Sequence, residues 1–294
     1  MSIQRSLQKQ KPVTVNTLKS LAATGKKIVS LTCYDYTTAK ILDQLDAVDL
    51  LLVGDSLAMT VLGHPDTLSV TVDEMLHHVK AVSRACGRAF LVADMPFMSY
   101  HTSCDQAIQN AGRFIQEGRA KAVKLEGASA QVCTVITQLT QMGIPVMGHL
   151  GLTPQLVNTL GGFTLQGKTV DSAQSLLGQA KKLESAGVFA IVLEMMPTEV
   201  AALITAQLSV PTIGIGAGNK CSGQILVIDD LLGRYQAFTP RFVRQYADLS
   251  QSITQAVQQY ASDLQSGDFP NAKESFAFET PDALKVLQPA CALS

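Results

Sequence analysis

The chain has 294 residues, of which 47% are hydrophobic and 16% charged, with a net charge of −1. The usual charged share is roughly 25%, so this composition describes a well-packed globular protein long enough for one large core. The near-neutral charge excludes an electrostatic footprint for nucleic acid or an anionic membrane, and the longest apolar runs fall short of the ~18 residues of a membrane span.

The six cysteines, Cys33, Cys86, Cys104, Cys133, Cys221 and Cys291, form no CxxC pair. Their spacing suggests neither a disulfide framework nor a zinc site, and scattered thiols fit a reducing cytosol. The opening MSIQRSLQKQKPVTV has no apolar core of a secretory signal. A cytoplasmic protein is the expectation.

In chain order, KIVSLTCYD (27–35) reads as a first strand, followed by a helix over 37–45. DLLLVGD (49–55) is a second strand, and 56–70 a long loop. Thr71 and Glu74 form a capping box ahead of Met75, Val79, Val82 and Cys86 at helical spacing. AFLVADMP (89–96) is a third strand, with a helix over 103–117 ending at Gly118. KAVKLEG (121–127) is a fourth, followed by a helix to about Met142, and IPVMGHLG a fifth that ends at His149. After a loop rich in glycine and threonine, a helix over 171–186 ends at Gly187. VFAIVLE is a sixth strand ending at Glu194, and Pro197 opens the next helix in the favoured first turn. VPTIGIGAGN is a seventh strand and QILVIDD (224–230) an eighth.

These strands are continuous apolar runs, so both of their faces are buried, as in parallel sheets. EGRAKAVKLE and SAGVFAIVLE repeat one unit: a helix end, a glycine and a strand finishing in Glu. Eight strand–helix units in roughly 250 residues match an α/β fold of the (β/α)8, or TIM barrel, type. A doubly wound open sheet is the alternative. PRFVRQYADLSQSITQAVQQYASDLQ (240–265) reads as one or two extra amphipathic helices. The expected organisation is one domain over 1–265 and an irregular tail over 266–294.

Catalytic groups of a parallel barrel sit at the C-terminal ends of its strands. Here those ends carry Asp55, Asp94, Glu126, His149 and Glu194. Lys124 lies two residues before Glu126, so strand periodicity points both into the barrel, where a lysine needs an anion partner. An Asp after a strand is often only the N-cap of the next helix. That explanation suits one position and fails for the set, because Glu is a poor N-cap and clustered acids repel. A divalent cation relieves that repulsion, and oxygen-only donors favour a hard ion, Mg²⁺ above all. His149 is open to three readings: ligand, acid or satisfied core histidine. GIGAGN (214–219) is an anion nest or a turn that lets a helix pack. Tyr34 and Asp35 are candidates for lining the mouth. Asp229 and Asp230 read as capping or surface residues.

The motifs LTCYDYTTAK, VGDSLAMTVLGH, LVADMPFMSY, VKLEG, GHLGLTPQ, GGFTLQGK, LEMMP and IGIGAGNKCSGQILV occur in this order. Together they resemble the ketopantoate (3-methyl-2-oxobutanoate) hydroxymethyltransferase family, the first committed enzymes of pantothenate synthesis, over about 14–263. The resemblance implies a barrel of the phosphoenolpyruvate/pyruvate superfamily, Mg²⁺, and a decameric homo-oligomer without nucleic-acid or membrane partners. It implies transfer of a one-carbon unit from 5,10-methylenetetrahydrofolate to 3-methyl-2-oxobutanoate, giving 2-dehydropantoate through a Mg-stabilised enolate. By motif, Asp55, Asp94 and Glu126 carry over as metal-site acids. Asp55, Ser56, Asp94, Lys124 and His149 fall at the substrate, and Glu194 matches the general base. The chain departs from the family pattern at Ala58, Leu62, Ala128 and Ser222. A Mg-dependent C–C lyase of the same superfamily, a Schiff-base aldolase using Lys124, and an inactive ring scaffold are the rival readings. No cysteine here sits in the reactive loop motif that such a lyase carries.

Overall fold

A computed structural model describes residues 11–279. Cys291, the first ten residues and most of the expected tail lie outside them. The elements in order are α1 (Val15–Ala23), β1 (Ile28–Thr32), α2 (Tyr36–Asp43), β2 (Leu50–Val53), α3 (Leu57–Thr60), α4 (Val72–Ser83) and β3 (Phe90–Asp94). Next come α5 (Cys104–Gln116), β4 (Ala122–Glu126), α6 (Ala130–Gln141), β5 (Val146–Gly151), α7 (Val157–Leu160) and α8 (Val170–Ala186). The order closes with β6 (Ala190–Glu194), α9 (Thr198–Gln207), β7 (Thr212–Ile215), β8 (Gly223–Leu226), α10 (Ile228–Leu231) and α11 (Leu249–Ser266). All eight strands are parallel, each pairs with the next, and β8 pairs with β1 to close the barrel.

The period of two explains why the strands are apolar on both faces. One set of side chains, including Leu50, Leu52, Phe90, Val92, Ala122, Met147, Ala190, Val192, Ile213 and Ile225, fills the barrel interior. The alternate set, such as Leu51, Leu91, Val123 and Ile191, packs under the helices. Each fully buried Leu, Val or Ile contributes about 1.5–3 kcal/mol of burial free energy. Leu18 of α1, with Val13 and Phe189, belongs to the interior cluster. Following the interior set upward leads from Phe90 and Val92 to Asp94, from Ala122 to Lys124 and Glu126, from Met147 to His149, and from Ala190 and Val192 to Glu194. The strands that build the core thus end in the charged residues.

Helix starts follow the expected caps. Thr71 and Glu74 form the capping box of α4, and Ser103, Ser129 and Thr169 cap α5, α6 and α8 through their side chains.

Several expectations are corrected. The expected 56–70 loop begins with the short helix α3, because Asp55 and Ser56 carbonyls start helical bonds to Ala58 and Met59. No helix separates β7 from β8. The glycine turn is itself the connection, and Gly216 and Gly218 both take positive φ. The eighth strand stops at Leu226, and Asp229 and Asp230 lie on α10. Asp229 is no surface residue: it is buried and pairs with Arg234 at 2.7 Å. Pro197 stands at the N-cap of α9 rather than in its first turn. Of the segment expected to be helical, residues 240–248 are irregular and only α11 forms.

The chain divides into two compact units, Met1–Tyr246 and Ala247–Ser294. The first contains the barrel. In the second, α11 exposes Ile253, Val257, Tyr260 and Leu264 at helical spacing, an apolar stripe. Among the described residues, no helix is long and apolar enough to cross a membrane.

Candidate active site

A cavity of about 520 Å³ opens at the C-terminal ends of the strands. Its lining includes Asp55, Ser56, Asp94, Lys124, Glu126, His149 and Glu194, so these seven residues face one space. Adjacent strands set this placement. Asp94 is in register with Lys124, Glu126 with His149, and Glu194 with Gly151.

Lys124 Nζ donates to Asp94 Oδ2 at 2.7 Å and Oδ1 at 2.8 Å, and reaches Glu126 Oε1 at 3.5 Å. Its side chain is 5% exposed. Burial opposes the ammonium charge, but Asp94, Glu126 and Asp55 outweigh it and hold the pKa above the ordinary lysine value. Burial pushes Asp94 up, with Lys124 pulling the other way. Asp55 lies well above the usual carboxylate range, first through burial and then through the charges of Asp94 and Glu126. Burial also penalises Glu126, but the charges of His149 and Lys124 win and keep it ionised.

His149 lies between two glutamates. Its Nδ1 is 3.0 Å from Glu126 Oε1 and its Nε2 is 3.1 Å from Glu194 Oε2. The Nε2 contact is close in distance yet poorly aligned, so it is not a full hydrogen bond. Burial would neutralise the imidazole; Glu126 prevails and raises its pKa to about 9. Of the three readings of His149, the structure places it as the link between Glu126 and Glu194. Glu194 is 16% exposed, the most open of these charged side chains.

Two important side chains carried no signal beyond their place inside quoted motifs. Gln155, in a one-turn 3₁₀ helix after β5, donates from Nε2 to Asp55 Oδ2 and to the Met95 carbonyl, both at 2.9 Å. Its backbone N–H donates to Glu126 Oε2 at 3.1 Å. Tyr100 donates to Gln155 Oε1 at 2.6 Å and accepts from the Glu126 N–H at 3.2 Å. This network fixes Asp55 and Glu126 from behind. Ser56 Oγ meets the Tyr34 hydroxyl at 2.8 Å, so Tyr34 is buried behind Ser56 and does not line the cavity as expected; Asp35 caps α2.

The chemistry of the donor set fits a hard divalent ion. Burial disfavours the charge of both Asp55 and Asp94, Asp94 and Glu126 act further against Asp55, and Glu126 acts against Asp94, an imbalance that a bound cation removes. Among the described residues, no three His, Cys, Asp or Glu side chains already converge tightly enough to chelate an ion. Lys124 is the positive charge that now answers Asp94.

The departures from the family pattern leave this cluster intact. Ala58 is buried inside α3. Ser222 exchanges hydrogen bonds with Thr212 across β7 and β8. Leu62 is 38% exposed, and Ala128 packs against the outer core.

Comparison with known proteins agrees with this geometry. Residues 12–272 match the model of the family described as ketopantoate hydroxymethyltransferase. The chain is 55% identical over 266 residues to a 3-methyl-2-oxobutanoate hydroxymethyltransferase of Dehalococcoides mccartyi strain CBDB1, covering 90% of this chain and 95% of the relative. It is 50% identical over 273 residues to the enzyme of that name from Clostridium botulinum strain Alaska E43, covering 93% and 98%. Solved structures share the fold at low identity. Phosphonopyruvate hydrolase in complex with oxalate and Mg²⁺ aligns with a TM-score of 0.57 at 12% identity, covering 89% of this chain and 93% of that one. 2,3-Dimethylmalate lyase, a PEP mutase/isocitrate lyase superfamily member, aligns with a TM-score of 0.56 at 15% identity, covering 93% and 94%. With the family model spanning most of the chain and half of all aligned residues identical to these relatives, the chain belongs to the ketopantoate hydroxymethyltransferase family.

Proposed function

We propose that this chain transfers a hydroxymethyl group from 5,10-methylenetetrahydrofolate to 3-methyl-2-oxobutanoate, giving 2-dehydropantoate and tetrahydrofolate. The observation that carries the reading is the difference in exposure among linked charges at the strand ends. A partly exposed carboxylate, Glu194, is linked through His149 to a buried cluster of three acids and a lysine.

Glu194 is the general base. It removes the C3 proton of the keto acid, and the electron pair enters the adjacent carbonyl as an enolate. His149 stands between the two glutamates, 3.0 Å from Glu126 and 3.1 Å from Glu194, and orients the base. Ser56 and Lys124 hold the substrate's carboxylate. Lys124 exchanges part of its contact with Asp94 for that anion. Asp55, Asp94 and Glu126 would hold Mg²⁺, with Asp55 and Glu126 positioned by Gln155 and Tyr100. When bound, the ion supplies positive charge to the oxygen on which the enolate develops. Water adds to the methylene carbon of the donor's iminium and the C–N bond breaks, releasing tetrahydrofolate and leaving the one-carbon unit as formaldehyde; the enolate carbon attacks it, and the new alkoxide takes the proton back from Glu194 as the product's hydroxyl.

The reading includes a cytoplasmic homodecamer that binds only small molecules. Exposed Ile41 and Leu45 and the stripe on α11 support association between copies. Light scattering on a sizing column tests the count.

The activity is tested by proton NMR of 3-methyl-2-oxobutanoate in D₂O with the protein, with and without Mg²⁺, and without folate. Loss of the C3–H signal only with the metal is the expected result. Then 5,10-methylenetetrahydrofolate is added and 2-dehydropantoate is followed. Absence of both exchange and product sinks the reading.

A further inference from the structure

The small keto acid, held at the acid cluster, leaves most of the cavity unused. The outer part has a different character. Phe163 and Phe238 line it and are 49% and 69% exposed, so aromatic faces are presented to an open space. Phe242 also lines it, packed so closely on the end of β7 that a Cβ on Gly216 would lie 2.8 Å from its ring. Gly216 is at φ +62 there, so both space and backbone require glycine at this contact. Arg241 also lines the cavity and is exposed.

One acid in this outer part has no partner. The Asp230 carboxylate lines the cavity at intermediate exposure. Its neighbour Asp229 has Arg234, whereas no cation or hydrogen-bond donor acts on Asp230 among the described residues. Burial, and then the charge of Asp229, raise its pKa to about 6. A half-buried acid with no donor of its own, in the wall of a cavity that Phe238 and Phe242 also line, lacks what a flat ring bearing adjacent N–H groups supplies.

We propose that Asp230 and the aromatic wall of Phe238 and Phe242 form the recognition subsite for the pteridine ring of the one-carbon donor. The carboxylate accepts from the ring's amino and ring N–H groups, the phenyl faces stack on the ring, and Arg241 at the rim takes the donor's anionic tail. This inference rests on the transfer reading above, because that reading supplies the donor.

The test uses the intact protein with two readouts. Calorimetric titration with 6-methyltetrahydropterin and with tetrahydrofolate reports binding without turnover. Steady-state assays report KM for 5,10-methylenetetrahydrofolate, alongside donor-free C3–H exchange of the keto acid. Asp230→Asn keeps the shape and removes the charged acceptor. It is expected to weaken both probes and raise the donor KM about 10- to 100-fold, while exchange stays with the wild type. Phe242→Leu, which keeps an apolar contact on Gly216, is expected to weaken both probes several-fold. Arg241→Ala is expected to weaken tetrahydrofolate and not the pterin. Donor KM and pterin affinity within twofold of wild type in Asp230→Asn would overturn the assignment of Asp230. Equal weakening of both probes by Arg241→Ala would overturn the role of Arg241. Absence of exchange and product in the wild type is a separate outcome that overturns the transfer reading, while pterin binding still reports on the subsite.

Discussion

Lys124 and Asp94 are register partners on adjacent strands, and their side chains meet at 2.7 Å in a space that water barely reaches. The pair is the charge balance of the cluster. Lys124→Met strands Asp94 beside Asp55 and Glu126. Removing one member of a buried pair costs about 3–5 kcal/mol, because the other charge remains without compensation. Urea denaturation of Lys124→Met should show a loss of that size. Lys124→Met with Asp94→Asn should regain most of it, since Asp94, the acid in closest contact with Lys124, then carries no charge. A loss below about 1 kcal/mol in the single variant contradicts the picture of a mutually dependent pair.

Glu194→Gln separates binding from proton transfer. Glutamine keeps the shape and a hydrogen-bonding group beside His149, so metal and keto acid still bind. It cannot accept the C3 proton. General-base groups contribute typically about 10²–10⁴-fold, so C3–H exchange in D₂O should fall by at least about 10² with keto acid affinity changed little. Exchange retained within tenfold would assign the base elsewhere.

Much of this site is legible in the sequence, for a physical reason. A strand's period of two is strict, so Lys124 and Glu126 had to share a face, and apolar runs ending in Asp94, Glu126 and Glu194 had to put these acids at one end of a parallel barrel. Gln155 and Tyr100 belong to irregular segments after β5 and β3, where no period states which way a side chain turns. Their contacts exist only once the barrel closes, across 29 to 100 residues of chain in the case of Gln155. Asp229 and Asp230 looked like an acidic strand end because ILVIDD keeps apolar character up to the acids. Helix α10 turns one acid inward to Arg234 and the other toward the cavity. The turn after β7 was legible as glycine-rich, but its glycines serve close approach. Gly216 admits Phe242 and Gly218 admits Thr198.

Gly151 offers a test of how firmly the base is held. It ends β5 at φ +95, and a Cβ there would fall 2.0 Å from the Glu194 carbonyl oxygen. The neighbouring Leu152 N–H donates to that same oxygen at 2.9 Å. Both atoms in conflict are backbone or fixed to it, so Gly151→Ala must shift the end of β6 and carry Glu194 with it. Stability should fall by about 2–4 kcal/mol. A misplacement of about 1 Å can cost on the order of 10² in rate, so C3–H exchange should drop by that order. Gly25→Ala is the control. It also sits at positive φ, +75, with nothing within 4 Å. It should cost about 1 kcal/mol of backbone strain and leave exchange intact. Equal effects of the two variants on exchange would show that Gly151 does not position the base.

Asp230 makes a pH prediction whose sign is opposite to that of a salt-bridged aspartate. Its pKa in the folded chain is about 6, raised from 3.8 by burial and by Asp229. The folded state therefore holds this proton more tightly than the unfolded state. Stability is favoured below the unfolded value and lost as pH rises from 3.8 through about 6, above which the charged, unpaired carboxylate opposes folding. Asp230→Asn removes that term. Its melting temperature should match the wild type near pH 4 and exceed it at pH 7, with the gap opening between those values. The gain is smaller than for a fully buried acid, because solvent screens a half-exposed group. Saturating tetrahydrofolate should close the gap at pH 7 by stabilising the wild type more than the variant, since only the wild type offers the ring a carboxylate. A gap that is constant with pH would show that Asp230 already has a partner in the folded protein, and would remove the reason for it to seek one in a ligand.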